Sequence, residues 1–91
     1  MKNKVLVKIF IPEVDSDFDV YIPVNEIIWK IKKLVSKCAS DLTGGNFDFS
    51  KEYVFLNSKT GQLYRENDIV INTDIRNATE LILISVNEIA I

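Results

Sequence analysis

Asp15, Asp17, Asp19 and Glu26 stand at positions 1, 3, 5 and 12 of the spacing that calcium-binding loops use. The sixth position, where the sharp turn of such a loop calls for glycine, is Val20, and Pro23 also lies inside the span. Phe18, Val20 and Ile22 alternate as a strand would, so these acids read as a solvated acidic hairpin. Gly44-Gly45 invites comparison with a phosphate loop or a conjugation signal. It lacks the Lys-Ser/Thr continuation of the former and lies mid-chain, and a helix stop fits it better. Cys38 is the single cysteine. It falls on an apolar helical stripe with Ile31 and Leu34, whereas a reactive thiolate needs exposure and a positive neighbour. Lys37 is adjacent in sequence but rotated to another face, which leaves Cys38 as a small core hydrophobe. Histidine is absent. No imidazole chemistry, disulfide framework, or metal site built on His or several Cys is open to this chain. The expectation is a protein that is not an enzyme, with no catalytic residue, metal or cofactor.

Two features of one helix remain. Lys30, Lys32, Lys33 and Lys37 make one side of it basic, which solvation alone accounts for. Weak contact with RNA or anionic lipid is the other reading, and the lack of interleaved aromatics speaks against RNA. Trp29 lies about 160° from Ile31 around the helix, among Glu26, Lys33 and Ser36. It is either an exposed anchor for a partner or a ring laid over Lys33 or under the loop from Phe47 to Phe49.

The elements that hold these residues fit in one domain, residues 1–91, with an ordered core of about 4–86 and a short tail at 87–91. Apolar residues make up 47% and charged residues 26%, so the chain should fold. A net charge of −2 argues against a dedicated nucleic-acid binder. No apolar run approaches the ~18 residues of a membrane span, and the start does not resemble a signal peptide. Membrane insertion is not expected, and the compartment read from this is the cytoplasm.

Val5 to Ile11 is rich in β-branched residues, and Lys8 facing water sends Val5, Val7, Ile9 and Ile11 inward. Pro12 ends that run, and Asp17 to Ile22 returns as the second arm of a hairpin. After Pro23 the period becomes helical, with Val24, Ile27, Ile28, Ile31, Leu34, Val35 and Cys38 on one stripe. Asn25 is the best N-cap and Thr43-Gly44-Gly45-Asn46 the stop. Tyr53 to Asn57 is a third strand, Asn57 to Gly61 a turn, and Gln62 to Tyr64 a short fourth strand. A brief helical turn falls within Asp68 to Ile75. Glu80 to Val86, apolar on both faces, suits a central strand. The sum is an α+β roll, one helix packed across a mixed four- to five-stranded sheet.

This order resembles the ubiquitin β-grasp. Val70, Ile75, Leu81 and Leu83 match the apolar spacing of its last third. More closely, the chain resembles the YukD/EsaB family of ubiquitin-like proteins, associated with type VII (Ess/Yuk) secretion in Gram-positive bacteria. Val20-Tyr21-Ile22-Pro23-Val24-Asn25, Leu56-Asn57 with Thr60-Gly61, and Ile75-Arg76-Asn77 before Leu81-Ile82-Leu83-Ile84 carry the likeness. The resemblance implies a ubiquitin-like fold and a cytoplasmic accessory or regulatory component that works through protein contacts. Its partners would be proteins, secretion-system components among them, with a homo-oligomer as a further option. A scaffold for an unrelated assembly is the alternative. A sulfur carrier fits less well, because the sequence ends in Ile89-Ala90-Ile91 rather than Gly-Gly. Conjugation through that end is therefore not expected.

Period-two alternation then assigns two faces. Val5, Val7, Val20, Ile28, Ile31, Val35, Cys38, Val54, Leu56, Val70, Ile75, Leu81 and Leu83 are the expected core. Leu6, Phe10, Tyr53, Phe55, Ile82 and Ile84 should form an apolar patch on the opposite face of the sheet, a protein-interaction surface with Trp29 as a further anchor. The tail at 87–91 folding back over that patch is the bland alternative.

Overall fold

Lys8 is the one charge in the middle of an apolar run, and it sets the facing of strand β1 (Lys4–Ile11) in the computed structural model, which describes residues 3–48 and 50–86. Val7, Ile9 and Ile11 are fully buried, while Lys8 and Phe10 face out. Pro12, whose ring presets φ, opens a 3-10 turn (Pro12–Val14) closed by Asp15 in the left-handed region at φ 49°. Strand β2 (Ser16–Pro23) then pairs antiparallel with β1, Val7 opposite Val20 and Lys8 opposite Asp19.

Helix α1 (Ile28–Leu42) buries Ile28, Ile31, Val35 and Ala39 against the sheet. It begins later than an Asn25 cap would place it, and no side chain caps it. Its free N–H groups find backbone acceptors instead: Ile28 donates to the Asp68 carbonyl at 2.8 Å and Trp29 to Glu66 at 3.2 Å. The expected stop is present. Thr43 Oγ1 donates to the Ala39 carbonyl, and Gly44 and Gly45 both adopt positive φ, 64° and 89°, which costs glycine little.

Strands β3 (Tyr53–Asn57) and β4 (Glu80–Ser85) complete a sheet of order β2-β1-β4-β3, with β1 and β4 parallel and the other pairs antiparallel. The parallel pair requires a crossover, and α1 supplies it. The expected strand at Gln62 to Tyr64 is reduced to one bridge, Leu63 to Leu56. The brief helical turn is a 3-10 turn, Val70–Asn72.

The core differs from the expected set in three places. Val20 is only partly buried, since β2 is an edge strand that the helix does not fully cover, and so is Val5, which precedes the stretch Lys8–Phe10 that pairs with β4. Cys38 is half-buried as well, because the buried face of α1 centres between Ile31, Val35 and Ala39 and leaves Leu34 and Cys38 on its margin. The largest departure is in β3. Tyr53 and Phe55, expected outward, are buried, with Phe55 wholly inaccessible, while Val54 and Leu56 point the other way. The tail at 87–91 and Phe49 lie outside the described residues.

Candidate protein-interaction surface

Polar tethers at both ends explain the facing of β3. At its start the Tyr53 hydroxyl donates to the Glu13 carboxylate and lies 3.1 Å from the Asp48 carbonyl, and its ring stacks on Phe47 with centroids 4.8 Å apart. The Lys51 ammonium also binds Glu13. Hydrogen bonds from Lys51 and then Tyr53 hold the Glu13 carboxyl below its ordinary range. At the other end Asn57 is buried; its Oδ1 accepts the N–H groups of Lys59 (2.9 Å) and Thr60 (3.2 Å), and its Nδ2 donates to Tyr64 Oη at 3.2 Å. Tyr64 also donates to Asp74. Burial first, and this carboxylate second, push the Tyr64 hydroxyl up to about 12. With Tyr53 and Asn57 drawn inward, period two takes Phe55 inward between them.

The face of the sheet away from α1 is consequently built from Leu6, Lys8 and Phe10 of β1, Asp17, Asp19 and Tyr21 of β2, Val54 and Leu56 of β3, and Glu80, Ile82 and Ile84 of β4. Register arranges these in rows. Phe10 lies beside Ile82, Ile82 beside Leu56 and Leu56 beside Leu63, while Ile84 pairs with Val54. These six apolar side chains are contiguous, and Phe10 and Leu63 are 37% and 46% exposed. Lys8, between Asp19 and Glu80, forms a charged row beneath them. Below that row, Leu6 and Tyr21 floor a groove of about 660 Å³ walled by Lys4, Asn77 and Ala78. Asn77 Oδ1 accepts the Leu6 N–H and the Ala78 N–H donates to the Leu6 carbonyl, which ties the loop to β1.

Phe10, Ile82 and Ile84 are therefore together on the outer face, as expected; Leu6 shares that face, but the row of Lys8, Asp19 and Glu80 divides it from them. Tyr53 and Phe55 are not on it, and Val54, Leu56 and Leu63 occupy that part of the surface. The sequence signal for this facing is Asn57: a residue that must reach back to the N–H groups of its own turn fixes the facing of the strand before it. Trp29 belongs to a separate region on the helix. Its ring is half-buried, with Lys33 Nζ 4.9 Å and Lys30 Nζ 5.7 Å from the centroid, so the local packing over Lys33 is realised. Among the described residues no cluster of His, Cys, Asp or Glu is arranged to hold a metal ion, and no helix is long and apolar enough to cross a membrane.

Neither a protein-family model nor a curated protein matches the sequence. Solved structures do match. A ubiquitin-like domain of an Arabidopsis thaliana protein superposes with a TM-score of 0.69 at 14% identity, covering 91% of this chain and 78% of that one. The fold is the ubiquitin-like β-grasp. The same β-grasp occurs in a chain of the ESX-5 inner membrane complex, with a TM-score of 0.72 and 13% identity over 89% of this chain and 20% of the other. It occurs again in a chain of a toluene 4-monooxygenase complex, with a TM-score of 0.71 and 7% identity over 90% and 98%. At these identities the likeness is one of fold, and a β-grasp of this kind serves more than one purpose.

Proposed function

We propose that this chain is a non-catalytic ubiquitin-like interaction module, a cytoplasmic accessory or regulatory component of a type VII secretion system. The contiguous field of Phe10, Ile82, Leu56, Leu63, Ile84 and Val54 carries the interaction part of this reading. Six large apolar side chains grouped on one face, rimmed by Asp17, Lys8, Asp19 and Glu80, have the composition of a recognition surface with a polar border. Burying ~250 Å² of such surface is worth about 6 kcal/mol at ~25 cal/mol per Å² before association costs. The YukD/EsaB resemblance and the β-grasp within the ESX-5 complex support the secretion part. A scaffold in an unrelated assembly is the second reading, and the β-grasp chain of the toluene 4-monooxygenase complex favours it.

The test compares the wild type with a Leu56→Glu, Ile84→Lys double variant, which keeps the net charge. Each is tagged and captured from its own cells, with co-purifying proteins identified by mass spectrometry. Secretion-complex components should accompany the wild type and be lost from the folded variant. If the captured set holds no secretion component, or is the same for both proteins, the secretion reading fails.

A further inference from the structure

Starting from the acidic rim of that surface, we infer that the chain associates with further copies of itself head to tail, the acidic edge strand of one copy lying along the basic helix ridge of the next. Exposed charges of like sign gather in two rows, although Lys8 lies beside Asp19 in the first. Asp15, Asp17 and Asp19 are exposed and, with Tyr21 (50% exposed), mark the outward positions of β2 and the turn before it. Among the described residues none of these acids has an ion-pair partner within 4 Å. On the opposite face of the molecule, α1 presents Trp29, Lys33 and Lys37 at i, i+4 and i+8. Lys33 and Lys37 are exposed and also without an ion pair among the described residues.

The two rows match in order and in pitch. Alternate residues of a strand are about 6.7 Å apart, and residues four apart on a helix rise by about 6 Å along a ridge inclined to the axis. A β2 strand laid on that ridge sets Tyr21 against Trp29, Asp19 against Lys33 and Asp17 against Lys37. That is one aromatic contact and two ion pairs in register. Among the described residues β2 is also the edge of the sheet, with no strand paired to its outer side. One row lies on the solvent face of the helix and the other on the sheet face away from it. A single pair of copies cannot therefore satisfy both rows at once, and the contact propagates as a chain or ring instead of closing as a twofold dimer. Its strength rests on charge, so it must weaken with salt.

Sedimentation velocity over a concentration series tests this. At about 20 mM salt the average mass of the wild type should rise with concentration, and at about 500 mM salt the association constant should fall at least tenfold. A Lys33→Gln, Lys37→Gln variant and an Asp17→Asn, Asp19→Asn variant should each lose association at least tenfold while keeping the wild-type circular dichroism. Mixed in equal amounts they should form one-to-one pairs that grow no further, since each retains one intact row. The Leu56→Glu, Ile84→Lys variant, which alters the apolar field and leaves Asp17 and Asp19 intact, should self-associate as the wild type does, which separates this contact from binding to the field itself. A wild type that stays monomeric at low salt overturns the inference. So does association that survives in both charge variants, or a mixture that fails to pair.

Discussion

Strands β1 and β3 pose the same problem and solve it differently. Both are apolar at most positions, so hydrophobicity alone leaves open which face turns to the core. In β1 the answer is local: Lys8 cannot be buried unpaired, and its neighbours follow by alternation. In β3 the run Tyr53-Val54-Phe55-Leu56 offers no such charge, and the answer comes from the two ends. Tyr53 is drawn to Glu13 and Asp48, and Asn57 to its own turn and Tyr64. A central charge states its facing in sequence, whereas distant tethers state it only once the chain is folded.

Truncating neighbours on β3 should have the largest effects. Phe55→Ala should cost about 3–5 kcal/mol in urea unfolding, because a fully buried ring leaves a cavity. Leu56→Ala, on the outer face, should cost about 1 kcal/mol or less. Similar losses at both positions would mean that β3 has no fixed facing. Next in size, Asn57→Ala strips the turn of its acceptor and Tyr64 of a partner. It should cost about 1–3 kcal/mol, whereas Lys8→Ala should stay within about 0.5 kcal/mol. Lys8 selects a face without holding it; Asn57 does both.

Alkaline pH addresses the same corner. The folded Tyr64 hydroxyl, at about 12, lies above its ordinary value of 10.0. The unfolded chain therefore releases this proton first, and the stabilisation is complete below pH 10 and declines as pH rises toward 12. Tyr64→Phe should remove that part of the decline in a pH series of urea midpoints. The smallest effect concerns the loop tied to β1. Ala78 sits at φ 72°, a conformation that L-residues adopt at a cost. Ala78→Gly should stabilise the protein by about 0.5 kcal/mol, the relief of strain outweighing the added freedom of the unfolded chain.

These contrasts also mark what the sequence could reveal. The hairpin, the helix with its glycine stop, the parallel return of β4 and the β-grasp order followed from period, breakers and chain order. Outward facing followed for four of the six sheet residues, Leu6, Phe10, Ile82 and Ile84, although the row of Lys8 cuts Leu6 off from the apolar field. Tyr53 and Phe55 did not, since their inward facing depends on partners 40 residues away in one case and on a turn side chain in the other. Val54 and Leu56 looked like core residues for the same reason. Trp29 was legible as a surface residue, but its cover of Lys33 and Lys30 depends on rotamers that spacing does not determine.

The outer sheet face, completed by Val54 and Leu56, is proposed to meet a protein partner. A photoactivatable benzophenone amino acid placed singly at Leu56, at Ile82 or at Leu42 of the exposed helix end tests it in the protein's own cells. Irradiation should yield a discrete adduct with a second kind of protein from positions 56 and 82 and none from 42. Adducts from 42 alone, or from none of the three, would contradict it.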